Sequence, residues 1–174
     1  PANTALSFDG VDDYVTMGTA PTLGVGADGF TIECWFRRDG DGITSGSGSG
    51  GVTGVPLFGK GRGENDGGTM DCDYFFGINP TGQLVADFET YPATGLTSGQ
   101  NYPVIGTNSP IAYGVWHHAA ATYDAATATW NLYLDGANVG TTAVAAGARP
   151  RFDSAQHFGI ATALNTTGTR EGAF

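Results

Sequence analysis

Residues Thr31-Ile32-Glu33-Cys34-Trp35-Phe36-Arg37 alternate: Ile32, Cys34 and Phe36 fall on one side, Thr31, Glu33, Trp35 and Arg37 on the other. A period of two belongs to an extended strand, dry on one face and partly covered on the other. No stretch carries a helical period. Strand signals return at Ala5 to Phe8, Tyr14 to Met17, Val55 to Phe58, Tyr74 to Asn79 and Leu84 to Glu89. They continue at Val115 to Tyr123, Thr129 to Leu134, Val139 to Val144 and His157 to Ala161. The chain is therefore expected to be all-β.

Two turns join neighbouring signals into antiparallel hairpins. Asp135-Gly136 separates Leu134 from the run at Val139, and Asp-Gly readily adopts the positive φ values of a tight turn. Asn79-Pro80-Thr81-Gly82 does the same between Ile78 and Leu84. Glycine holds 29 of 174 positions and charged residues are 14% of the chain, against a usual ~7% and ~25%, so turns are many and salt-bridged helices few. Ten Phe, seven Tyr and three Trp can fill a core. One domain over residues 1–174 is expected, with long loops at 39–54, 61–71 and 91–113. The first of these contains Ser45-Gly46-Ser47-Gly48-Ser49-Gly50-Gly51, of flexible-linker composition.

A formal charge of −10 argues against a nucleic-acid backbone or an anionic membrane surface as partner. No apolar run reaches the ~18 residues of a membrane span, so no membrane insertion is expected. Cys34 and Cys72 fit neither a zinc set nor a redox pair; one disulfide and two buried thiols are the alternatives. A bridge would close a loop worth ~3–4 kcal/mol in the chain-entropy model.

Several motifs invite chemistry. Gly54 to Lys60 resembles a phosphate loop, but Gly61 stands where the hydroxyl residue belongs, so it reads as a strand leaving into a glycine loop. His117 and His118 are adjacent on a strand, point to opposite faces and cannot easily chelate one ion. Asp87 and Glu89 share a strand face, the nearest approach to a glycosidase pair, without a third acid. Asp9, Asp12 and Asp13 lie within one turn and offer oxygens to a hard cation. On the loops, Tyr91, Tyr102 and Tyr113 offer flat apolar faces, and Asn65, Asp66 and Asp71 offer oxygens for hydroxyl groups, a combination suited to small polar ligands.

Four ordered stretches carry a resemblance: Ala5-Leu6-Ser7-Phe8-Asp9-Gly10-Val11-Asp12-Asp13-Tyr14-Val15, Phe30 to Phe36, Trp116 to Asp124, and Leu132-Tyr133-Leu134-Asp135-Gly136. Together they resemble the laminin-G-like, concanavalin-A-like jelly-roll domains of large secreted and surface proteins. The resemblance implies a two-sheet antiparallel jelly-roll sandwich with Phe8, Ile32, Phe36, Tyr123 and Leu132 in the core. It also implies a structural calcium ion at Asp9 and Asp13, and a further strand after Phe174 with an acidic residue and a tryptophan. A sandwich short of that final strand is then expected to associate along an open edge. The implied role is a non-catalytic binding or adhesion module, outside the cell or on its surface, recognising a glycan or a protein surface through its long loops. The alternatives are a structural module that assembles by self-association or strand complementation and, third, a polysaccharide-active enzyme.

Overall fold

The structure, a computed structural model, describes residues 4–64, 68–93 and 95–174. Thirteen strands follow in chain order: β1 Val15–Thr16, β2 Gly29–Arg37, β3 Ser45–Gly46, β4 Thr53–Lys60, β5 Tyr74–Ile78, β6 Leu84–Asp87, β7 Val104–Ile105, β8 Trp116–Asp124, β9 Thr129–Leu134, β10 Ala137–Ala143, β11 Phe158–Ile160, β12 Ala163–Leu164 and β13 Arg170–Glu171. They form a seven-stranded sheet in the order β1-β11-β4-β5-β6-β7, with β3 added beside β4, and a four-stranded sheet in the order β10-β9-β8-β2. A β12–β13 hairpin is separate, and every pairing is antiparallel. The architecture is the jelly-roll sandwich.

Both hairpins form where the turn chemistry placed them. Asp135 and Gly136 have φ of 51° and 81°, and Leu134 pairs with Ala137. At the other, Asn79 Oδ1 accepts from Thr81 N and Gln83 N while Gly82 takes φ 80°, setting Ile78 opposite Leu84.

One apolar cluster joins the facing sides of the sheets. Trp130, fully buried, meets Phe30 at 5.3 Å and Phe88 at 5.5 Å between ring centroids, and Phe88 meets Tyr123 at 5.3 Å. Ile32, Phe36, Tyr123 and Leu132 are buried here, as expected. Phe8 is only half-buried, because Ala5 to Phe8 forms no strand. Its alternation is a local signal, whereas a strand needs a ladder partner, and Leu6 is left 66% exposed.

The two sheets differ on their outer sides. The outer face of β2 and β8 is largely bare, whereas β4, β5 and β6 are buried on both faces. Their apolar runs lack alternation for that reason. The glycine-serine stretch is folded rather than linker-like: β3 pairs with β4, and Ser47 and Val52 are buried against the sheet. The loop at 91–113 likewise contains β7, paired with β6.

Cys34 and Cys72 are free thiols, which corrects the bridge as an alternative. Cys34 packs against the inter-sheet core, while Cys72 clusters with Val52, Phe75, Val85 and Ala163 on the far side of the seven-stranded sheet. Burial, with the Glu33 charge adding, pushes the Cys34 thiol up to about 12, and burial pushes Cys72 well above its ordinary value. A thiol-disulfide reagent near neutral pH is thus expected to react slowly with the native chain and to find two thiols once it is unfolded. Recovery of no thiols after unfolding without reductant would establish the bridge instead.

Candidate functional site

The outer face of the four-stranded sheet gathers aromatic and polar side chains through the β2–β8 register. Trp35 lies opposite His118 and Arg37 opposite Trp116. Trp35 is 67% exposed and Trp116 48%. Their rings are braced from the sides: His118 lies 5.3 Å from Trp35, and the Arg37 guanidinium sits 5.9 Å over Trp116. Arg37 is itself held by Asp39 at 2.6 Å, and His118 Nε2 lies 3.6 Å from Glu33. Across β8 and β9, Ala120 pairs with Tyr133 and Thr122 with Asn131, which extends the face with a phenol and an amide. Thr141 donates to Asn131 Oδ1 at 2.6 Å and fixes that amide. Two bared indoles amid donors and acceptors offer apolar faces to one side of a sugar ring and hydrogen bonds to its hydroxyls. The alternation at 31–37 put Trp35 outward; that its face stays uncovered was not legible locally.

His117, by contrast, points inward. Its ring lies 5.9 Å from Phe36 and its Nδ1 is 2.7 Å from Asp135 Oδ2. The hydrogen bond with His117 is the main cause that lowers the Asp135 carboxyl below its ordinary value. The two histidines therefore sit on opposite faces.

Among the described residues, Tyr91, Tyr102, Tyr113 and Asp71 of the expected loop set lie apart. Tyr102 is a core residue, 8% exposed, its ring tilted against Phe88 at 5.5 Å and its hydroxyl accepting from Ala145 N. Asp71 is buried in an ion pair with Arg151 at 2.6 Å. Tyr91 stacks on Phe152 at 4.6 Å, whereas Tyr113 donates to an Asp41 carboxylate oxygen beneath the Arg38 guanidinium at 4.7 Å. Tyr91 N donates to Arg149 O, and Arg149 pairs with Asp28, just before β2; Arg38 lies just after it. Nine strand residues lie between Asp28 and Arg38, ten steps or about 34 Å at ~3.4 Å per residue. Tyr91 and Tyr113 therefore cannot share one small ligand. Asn65 and Asp66 lie outside the described residues.

Asp87 and Glu89 are 0% and 3% exposed, enclosed under the glycine-serine loop. Burial pushes the Asp87 carboxyl well above its ordinary value; the Ser47 hydroxyl pulls it back and the Glu89 charge raises it further. Both carboxyls are closed off from solvent in this structure. Lys60, from the phosphate-loop look-alike, is fully buried and pairs with Asp73 at 2.9 Å.

Asp9, Asp12 and Asp13 are exposed, with carboxylate oxygens within 4.8 Å of one another. Asp9 Oδ1 accepts from Val11 N and Asp12 N, and Asp13 Oδ2 from Asp9 N. The Val11 amide chiefly, then that of Asp12, lowers the Asp9 carboxyl. Three clustered carboxylates fit a hard cation, and a calcium ion would be held by their remaining oxygens.

The family model described as the concanavalin A-like lectin/glucanases superfamily matches residues 9–170. No curated protein matches the chain. Among solved structures it is similar to the CBM40 of the Ruminococcus gnavus IT-sialidase bound to α2,6 sialyllactose, at 14% identity and TM-score 0.55, over 88% of this chain and 76% of that one. The same module bound to α2,3 sialyllactose is 11% identical at TM-score 0.52, over 94% and 86%. A native heptameric SAP-like pentraxin from Limulus polyphemus is 12% identical at TM-score 0.49, over 95% and 70%. At such identities the likeness is one of fold. Among the described residues no helix is long and apolar enough to cross a membrane.

Proposed function

The chain belongs to the concanavalin A-like lectin/glucanase superfamily, and from that premise we propose that it is a non-catalytic carbohydrate-binding module holding a glycan on the outer face of its four-stranded sheet. One observation carries the reading: Trp35 and Trp116, on neighbouring strands, are bare to solvent while flanked by Arg37, His118 and Glu33. Leaving two indoles in water forgoes ~1.5–3 kcal/mol each, a cost that occupancy by a stacked sugar ring removes. The enclosure of Asp87 and Glu89 supports a role without catalysis. A calcium ion at Asp9 and Asp13 would stiffen the 9–13 turn, which Arg170 also grips through Val11 O at 2.8 Å. The module acts outside the cell or on its surface, where glycans are displayed.

A glycan array probed with the purified chain, with and without calcium, tests this. Trp35→Ala and Trp116→Ala are each expected to weaken binding about 30-fold, the ~2 kcal/mol of an interface anchor. Tyr91→Ala should leave binding unchanged. Binding that survives both tryptophan substitutions would refute the site.

A second role, assembly through strand addition, is favoured by one feature. Among the described residues β2 pairs with β8 alone, and Cys34 and Phe36 of β2 line a groove of about 900 Å³ together with Leu6, Leu57, Ile160 and Phe174.

A further inference from the structure

We infer that Asp39 and Glu33 restrict the outer face of the four-stranded sheet to glycans without carboxylate or sulfate groups. The inference rests on the glycan reading of that face and names the class of sugar it accepts. Two side chains able to carry positive charge belong to the face, Arg37 on β2 and His118 on β8. They stand beside the two bared indoles, where an anionic substituent of a stacked ring would need them. Both are already held by acids of this chain. Asp39 accepts from Arg37 Nε at 3.0 Å and from Nη2 at 2.6 Å, a fork edge by which a guanidinium grips a carboxylate. His118 Nε2 lies 3.6 Å from Glu33 Oε2.

Neighbouring cations do not make up the loss. Arg38 pairs with Asp41 at 3.3 Å and lies over the Tyr113 ring, and Arg149 pairs with Asp28 by the opposite end of β2. Asp124, in the outer row of β8, adds a further carboxylate at that same end, opposite Gly29. An anionic glycan would have to displace Asp39, which is tethered two residues from Arg37 and so competes at high local concentration. Its charge would then stand against the displaced carboxylate and against Glu33, and like charges brought together weaken binding. The net charge of −10 repels the same ligand at longer range. A neutral ring meets no such opposition, because both carboxylates can accept its hydroxyl hydrogens.

Oligosaccharide pairs that differ in charge test this by calorimetric titration into the full chain. The pairs are cellohexaose with its C6-oxidised uronate, methyl-esterified with free oligogalacturonate, and dextran with dextran sulfate. Wild type is expected to bind the neutral member of a pair about tenfold more tightly than the charged one at low salt, and the gap should narrow in molar salt. Asp39→Asn keeps the side-chain volume, frees the Arg37 fork and should raise the charged-to-neutral affinity ratio about tenfold; Glu33→Gln should move it the same way. Glu64→Gln removes an equal charge at the β12–β13 hairpin, where its carboxylate accepts from Thr166 N, and should leave the ratio unmoved. Equal affinity for both members in wild type, or a ratio that Asp39→Asn does not move, overturns the inference alone, provided that Trp35→Ala still weakens binding. Binding that survives Trp35→Ala, or none to any pair, overturns the glycan face and this inference with it.

Discussion

Lys60→Met is expected to destabilise the fold by ~3–5 kcal/mol, lowering the unfolding temperature by about 6–20 °C for a chain of this size. The Lys60 and Asp73 side chains are both wholly buried, 2.9 Å apart. Lys60 also donates to Ser154 O at 2.6 Å, and Asp73 Oδ1 accepts from Ser154 N at 3.2 Å. The pair thereby ties the end of β4 to the segment leading into β11. Methionine preserves the volume and removes the charge, so Asp73 is stranded in a dry site. Desolvation already raises the Asp73 carboxyl, with Lys60 as the principal opposing influence. Without Lys60 the raised acid favours the folded state below its unfolded pKa, and that contribution is lost as pH rises through the folded value. The deficit of Lys60→Met should therefore be larger at pH 8 than at pH 4. Adding Asp73→Asn should return part of it at neutral pH. Denaturant titration of the three variants reads the cycle, and a Lys60→Met chain within 1 kcal/mol of wild type would show that the pair does not hold the fold.

The second large effect concerns the open edge. At the two ends of β2, Asp28 O accepts from Ala125 N and Arg38 O from Gly114 N. Even-numbered residues thus turn their backbone groups toward β8, and alternation aims those of Thr31, Glu33, Trp35 and Arg37 away from it. Among the described residues no strand pairs with these outward groups, and such a row is a template for another strand. Residues 1–174 alone are expected to associate with rising concentration, shifting from monomer to larger species in sedimentation. Thr31→Pro removes an outward donor without touching the β8 ladder and should restore the monomer. A soluble monomer that melts cooperatively at every concentration would show that the edge is already protected.

Much of the architecture was legible because its causes are local. Alternation at 31–37 and positive-φ chemistry at Asp135-Gly136 and at Gly82 act within a few residues, and each produced its strand or turn. Ala5 to Phe8 carries the same alternation and fails, since pairing is a property of two segments. The site was less legible. Tyr91, Tyr102 and Tyr113 look alike along the chain, yet one stacks on Phe152, one fills the core and one caps Arg38. Trp35 was placed outward by its period and Asp87 on one strand face with Glu89, and the two ended oppositely: one bare, one sealed. Period and turn chemistry thus determined antiparallel strands and their sidedness, because both are short-range, while the two-sheet sandwich was implied by the family resemblance. Which outer face stayed open was decided by the tertiary structure, because the residues that cover Asp87 and Cys72, Gly51 and Ala163 among them, are distant in sequence and meet them only in the folded chain.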